Sequence, residues 1–407
     1  PNQLNGWPTG SHSTAANTAP TVSPSFASYG SVAANACLNC HLPHNAPAGA
    51  GPRLLRGVEE NACSQCHTGA NLNPTIRNVL GEFSKAFPHP TLLVAGVHDA
   101  GEATFPLNGS RHAECMDCHN THAAATTGGS TVPPGVQSPL LGASGVDAAT
   151  GISPRIPAAN QYEICFKCHA NSAGKPQATP GYSAYGRTPV RQANQAATDP
   201  YNTRLELNST VARHPVTNPR QRTAAQSPSV RAAMLNLDGS LGRSMAAGTF
   251  LYCTDCHNND QARASAGTGP NGPHGSIWNH LLERRYELEP LPSTPGASSP
   301  GVPYLPGLIG TYALCYKCHD IDNSILNDVS FREHRQHVRG ADASCATCHD
   351  PHGINGGNAT NNFSLVNFDI GVVGPSSSGQ LRFERTGTFA GRCYLRCHGK
   401  DHNPMSY

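Results

Sequence analysis

The order of hydrophobic and polar positions along this chain supports only a coarse reading of secondary structure. Short helices are predicted at Tyr162–Ala170 (YEICFKCHA), Thr311–Asp320 (TYALCYKCHD) and Ile277–Glu287 (IWNHLLERRYE). Residues 1–36, 123–160, 171–200, 217–248, 289–310 and 355–380 are rich in Pro, Gly, Ser, Asn and Ala, a composition that favours turns and irregular connections. The predicted fold class is mostly irregular coil with short helices and little sheet. Helix content is expected at about 15–20%, against the usual third. The best apolar run, Thr91–Val97 (TLLVAGV), falls far short of the roughly 18 residues that cross a bilayer, so no membrane span is expected.

Composition shows why the pattern is faint. Only 13% of the 407 residues are charged, about half the usual share. Leu, Ile, Val and Phe together make up about 17%, below the ~20% at which a conventional core becomes doubtful. Disorder would also call for a high net charge, and here it is +2. The excess lies in 16 Cys and 21 His, so something other than aliphatic side chains must fill the interior. The opening PNQLNGWPTG has neither a basic segment nor an apolar run, and the first cysteine is Cys37. With this cysteine content, that reads as a mature exported chain whose signal has been removed. It is expected outside the cell or at its surface, with the periplasm as the fallback.

Cysteine spacing supplies the chemistry. The cysteines pair as Cys37 with Cys40, Cys63 with Cys66, Cys115 with Cys118 and Cys165 with Cys168. The later pairs are Cys253 with Cys256, Cys315 with Cys318, Cys345 with Cys348 and Cys393 with Cys397. Each is followed at once by a histidine: His41, His67, His119, His169, His257, His319, His349 and His398. Seven of these are C-x-x-C-H, the attachment signal for c-type haem. The two thiols add across the vinyl groups of the haem, and the next residue presents an imidazole to iron. The eighth reads RCYLRCHGK, with three residues between its cysteines, and is taken as a variant of the same site. A disulfide scaffold, paired zinc knuckles and a thioredoxin-like motif each explain some of the cysteines, but none requires a histidine after every second one.

The motifs repeat in pairs, which divides the chain into an N-terminal arm (1–36) and one haem-packed body (37–407). The body comprises four units, at about 37–80, 81–180, 200–320 and 321–407. In each unit a second histidine trails the first motif: His44 in CHLPHNAP, His122 in CHNTHAA, His274 in GPHGS and His352 in CHDPHGI. Upstream histidines precede three of the pairs: His89 in FPHP, His214 in ARHP and His337 in HRQHV. These seven are the expected distal ligands, with the eighth place open between His112 and His12. His98, His280, His334 and His402 are set aside as bystanders. Methionine is a poor source of ligands here, since only Met234, Met245 and Met405 lie outside a motif.

These residues resemble the multihaem c-type cytochromes with doubled C-x-x-C-H motifs. More narrowly, ACLNCHLPHNAP, CHDPHG, the R-H-P segment and the terminal C-H-G-K-D resemble the outer-surface cytochromes that polymerise into extracellular electron-conducting filaments. The resemblance implies eight c-type haems in a continuous stack and a homopolymer in which His44 ligates an iron of the neighbouring protomer. Other cytochromes or extracellular acceptors would be its partners. A bis-histidine iron has no open position for substrate, which suits electron transfer and not catalysis. The alternatives are a monomeric periplasmic or outer-surface shuttle and an octahaem oxidoreductase with one open haem. Ionised propionates would bring the formal charge of the loaded protein to about −6 oxidised and about −14 reduced, so nucleic acid is not an expected partner.

Two outcomes follow from complete cysteine use and the poor aliphatic content. The intact mass should exceed 42.7 kDa by about eight haem masses, ~5 kDa in all, and a seven-haem mass would point to the 393–398 site. The haem-free chain should be largely unfolded by circular dichroism, and cooperative folding without haem would contradict this.

Overall fold

The computed structural model of the protein describes residues 6–15, 30–44, 54–57, 59–68, 78–92, 113–171, 202–209, 212–288, 304–354 and 363–407. The chain forms two compact units. One comprises Pro1–Gly174, Tyr252–Ala264 and Thr268–Leu281, the other Lys175–Leu251, Ser265–Gly267 and Leu282–Tyr407. Among the described residues the helices are short, the longest being the nine-residue Glu59–His67 and Gln161–His169. The sheets have two or three strands. Mostly coil with short helices and small sheets is therefore the observed architecture.

Local capping explains where the helices start. The backbone N–H of Glu114 donates to Asp117 Oδ2 at 2.9 Å, which opens the helix Cys115–Cys118. The N–H of Asn160 reaches Glu163 Oε2 at 3.1 Å ahead of Gln161–His169, and Ser344 Oγ accepts from Thr347 N at 3.2 Å ahead of Cys345–Cys348. Each cap satisfies amides that the first turn leaves free.

The expected helix over Ile277–Glu287 is absent. That stretch holds one turn, Asn279–Leu281, interrupted at His280 by a φ of +59°, and then runs on without helix. Its backbone bonds go elsewhere: Glu287 N donates to Thr311 O and Leu314 N to Arg285 O, each at 3.0 Å. Adjacent Glu283 and Arg284 are both buried, whereas neighbouring positions on a surface helix would point in different directions. The C-terminus also departs from expectation. Arg382–Gly387, Ala390–Cys397 and Lys400–Ser406 form a three-stranded antiparallel sheet that contains the last cysteine pair.

The apolar core is broken into small clusters, each touching a motif cysteine. Val136, Ala143, Ala158 and Ile164 pack with Cys118 in the first unit. In the second, Tyr312, Ile321, Leu326 and Val338 meet Cys315 and Cys345, while Phe368, Val372, Val373, Phe383 and Leu395 meet Cys348, Cys393 and Cys397. A buried ionic group supplements them. Lys317, inside the C-Y-K-C-H motif, lies 2.9 Å from Glu283 Oε1, which also accepts from Arg284 Nε at 3.1 Å. Ser265 Oγ donates to Glu283 Oε2 at 2.7 Å. Glu283→Ala would strip the carboxylate from two buried cations, so it should cost about 3–5 kcal/mol in guanidinium unfolding of the loaded protein. A loss under about 1 kcal/mol would mean that water already screens the group.

Candidate metal centres

The C-x-x-C-H sequence folds as a single turn. In five motifs the histidine N–H donates to the first cysteine's carbonyl at 2.8–2.9 Å, as from His41 to Cys37, His119 to Cys115, His257 to Cys253, His319 to Cys315 and His349 to Cys345. The second cysteine tightens the turn in the fifth and sixth motifs. Cys256 N donates to Cys253 O at 3.2 Å, and Cys318 N to Cys315 O at 3.1 Å. Both Cys256 and Cys318 are half-buried, and the Cys318 carbonyl accepts from Arg231 N at 2.8 Å, which ties that motif to the strand region before it. Residues three apart in such a turn share a face, so both sulfurs point one way and the imidazole follows at its end.

Opposite these imidazoles stand others from distant parts of the chain. In the first unit the ring centres of His41 and His122 lie 6.2 Å apart, and those of His119 and His274 6.1 Å apart, both pairs nearly parallel. His67 faces His12 at 6.4 Å and His169 faces His89 at 6.5 Å, at steep interplanar angles. In the second unit His319 faces His214 and His349 faces His334, each at 6.4 Å. Such a gap leaves room for one metal ion bonded to a nitrogen of each ring, at about 2 Å per bond. The separation hardly varies although the sequence distance between partners does.

Short backbone pairings set these positions. Phe87–Pro88 pairs with Gly275–Ser276, and His89 N donates to His274 O at 3.0 Å, which places both rings' backbones side by side. A Cβ at Gly275 would collide with the Glu82 carbonyl, so the P-H-G glycine is needed for the close approach. The second unit repeats the arrangement: Arg213 bridges to Gly353, beside His214 and His352, and a Cβ at Gly353 would meet the Glu206 carbonyl.

Hydrogen bonds orient the rings. Nδ1 of His12 meets Thr121 O at 3.0 Å, that of His119 meets Pro139 O at 2.9 Å, and that of His257 meets His280 O at 2.9 Å. In the second unit Nδ1 of His349 meets Ser364 O at 2.8 Å and that of His337 meets Glu333 O at 2.7 Å. His214 bonds Pro351 O in the same way, and His352 Nδ1 meets Glu206 Oε2 at 3.1 Å. A carbonyl can only accept, so Nδ1 carries the hydrogen and Nε2 keeps its lone pair, the tautomer of a metal-ligating imidazole. Burial and then the facing ring push His274 and His319 down to about 3. Burial and His349 do the same to His334, also to about 3, and burial with His169 takes His89 to about 4.

The sulfurs follow the order of the chain. As free thiols they stand in for thioether sulfurs, and their contacts report which motifs adjoin. In the first unit Cys40 lies by Cys66, the Cys63 thiol lies against that of Cys115, Cys118 lies by Cys165 and Cys168, and the Cys165 thiol lies against that of Cys253. In the second unit the Cys315 thiol lies against that of Cys345, and Cys348 lies by Cys393 and Cys397. Motifs one to five thus adjoin in sequence, as do motifs six to eight.

Of the two contenders for the eighth distal place, His12 faces His67, while His112 lies outside the described residues, as does His98. His334, set aside as a bystander, faces His349. Its place in H-R-Q-H, three residues before His337, was the available signal. His402, also set aside, faces His337 at 6.4 Å. His44 is exposed, and among the described residues no ring faces it. His352 holds Glu206 and lies in a cluster with Asp350. His398 sits in a turn with a φ of +49°.

Comparison with known proteins agrees with the attachment motifs. Residues 30–72 match the family described as "Doubled CXXCH motif". The chain is similar to the C-type polyheme cytochrome OmcB of Geobacter sulfurreducens, in strains DL-1/KN400 and PCA, at 21% identity over 253 residues. That alignment covers 58% of this chain and 31% of each relative, so the chain spans about a third of their length. No solved structure matches. No helix among the described residues is long and apolar enough to cross a membrane.

The depressed histidines give a pH dependence. Folded, His274, His319 and His334 stay neutral down to about 3, whereas unfolded imidazoles protonate near ~6.5. The unfolded state therefore takes up protons first, and stability should fall progressively as pH drops below about 6.5. The guanidinium midpoint is expected to be lower at pH 5 than at pH 7.5, and an equal or higher midpoint would contradict it.

Proposed function

We propose that this chain, a multihaem c-type cytochrome, carries electrons along eight covalently attached haems and does so as the protomer of an extracellular conductive filament. The observation that carries the reading is the recurrent facing pair of imidazoles, 6.1–6.5 Å between centres, at six of the eight motifs. Two neutral imidazoles facing each other at this distance would hold a haem iron between them and leave no place for a substrate, a coordination that suits electron transfer. Haem supplies the redox couple. The cysteines would attach it, the facing histidines would hold it, and burial with the Nδ1 hydrogen bonds would set the polarity around it.

The order of the sulfurs supports a relay. Neighbouring motifs put their cysteines side by side, which would bring successive haem edges close within each unit. An electron can then pass from motif to motif without a detour through bulk protein.

Assembly rests on His44. It is exposed, follows the first motif, and lies on a Pro- and Gly-rich segment that favours an extended path. In this reading His44 reaches an iron of the next copy, so that growth of the filament and continuity of the haem stack are one event. Head-to-tail contacts of this kind generate open filaments. The surface of the cell or the medium is then the place of action, and external acceptors or other cytochromes the partners. His44→Ala should leave the protein monomeric or in short fragments by negative-stain microscopy, with one haem in each chain turned high-spin. Full-length filaments with every haem low-spin would rule the interface role out.

A further inference from the structure

The last motif is built differently from the others. Cys393 and Cys397 lie on the central strand Ala390–Cys397 of the terminal sheet, not on a helical turn. Strand side chains alternate, so a spacing of four puts Cys393, Leu395 and Cys397 on one face, the service that a spacing of three performs on a helix. The extra residue of C-x-x-x-C is what a strand requires.

The same alternation takes the next histidine away from that face. His398 and Gly399 form the two-residue link to the final strand, with φ of +49° and +72°, values that belong to a tight hairpin turn. Across the ladder Leu395 pairs with His402. Directly paired residues project to the same side, so His402 stands in register between the two cysteines. Its ring faces His337, with centres 6.4 Å apart and planes at 43°. That distance falls within the range of the six other facing pairs. Nδ1 of His337 is held by Glu333 O at 2.7 Å, which leaves its Nε2 for a metal. Phe331 packs against both His337 and Tyr407, and Tyr407 packs on the sheet beside Cys393.

We infer that the eighth iron is held by His402 and His337, and that His398 serves as the hairpin turn and not as an axial ligand. The inference rests on the reading that Cys393 and Cys397 carry haem, and it replaces the residue that the C-H adjacency alone would name. The site would take a c-type haem like the others, attached to a strand.

The test uses the full-length, haem-loaded protein. Intact mass, electron paramagnetic resonance and carbon monoxide binding are compared for the parent, His402→Ala, His337→Ala and the double variant. All four should keep eight haem masses. Each single variant should turn one haem in eight high-spin and reactive to carbon monoxide, and the double variant should affect that same haem and no second one. His402→Ala with every haem low-spin overturns the ligand assignment, as does a double variant with two altered haems. A parent mass of seven haems overturns the attachment beneath it, a failure that the mass alone distinguishes. Should His402→Ala not mature, His402→Met is expected to raise the reduction potential of one haem and leave seven unchanged, since Met/His ligation favours higher potentials. No shift in that variant overturns the assignment.

Discussion

An iron bound between two imidazoles tolerates little error: each nitrogen must be neutral, aimed along one axis and held at one distance. Several of the facing rings are held by elements that are individually weak. A carbonyl on Nδ1 fixes the tautomer and turns the ring, as Pro139 does for His119 and Ser364 for His349. Burial then keeps the ring uncharged, most strongly at His274, His319 and His334. Two-residue strand pairings suffice to bring such rings together because each needs to place only one side chain. Regular secondary structure is sparse because little of the positioning depends on it.

The two units show how one solution is reused. An x-H-P segment lies beside a P-H-G segment in both: Pro88 pairs with Gly275, and Arg213 bridges to Gly353. The histidine of the first segment then meets the second motif of its pair at nearly the same angle, 63° for His89 with His169 and 61° for His214 with His319. Glycine is required at both crossings because a Cβ would enter a neighbouring carbonyl. The tail of the motif caps itself as well. Asn120 Oδ1 accepts from His122 N and Asp350 Oδ1 from His352 N, each at 3.1 Å, so the residue after C-H sets the course of the trailing histidine.

Motif chemistry was legible in the sequence because its spacing is local: cysteine pairs and the next histidine lie within one turn, and no tertiary knowledge is needed to see them. Rings that face the motif histidines were singled out in the sequence wherever the repeat marked them, as at His89, His122, His214 and His274. Their assignment was not legible, since His119 meets a residue more than 150 positions away and nothing local records that. His334 and His402 were set aside for the opposite reason, each lying within a few residues of a stronger candidate. The helix expected at Ile277–Glu287 failed because Glu283 is buried against Lys317, a residue distant in sequence, and Arg284 against Glu283 itself and the Leu235 carbonyl. The terminal sheet escaped because Cys-Tyr-Leu-Arg-Cys was read by analogy with the helical motifs. Its extra residue was itself the sign of a strand.

Small apolar clusters and ordered sulfurs are two consequences of one economy. A cluster of four or five buried side chains, such as Tyr312 with Ile321, Leu326 and Val338, is too small to hold a unit together alone, and each cluster abuts a motif cysteine. Apolar surface is thus gathered where a porphyrin would cover it, and the ring becomes the continuation of the core. Because consecutive motifs share these clusters, as Cys315 and Cys345 do, haems attached there would share walls as well. Packing that stabilises the fold and contact that conducts electrons then arise from the same burial. In the proposed filament, His44, exposed and three residues beyond the first motif, would bring in another copy's apolar cover and its electronic contact in one step.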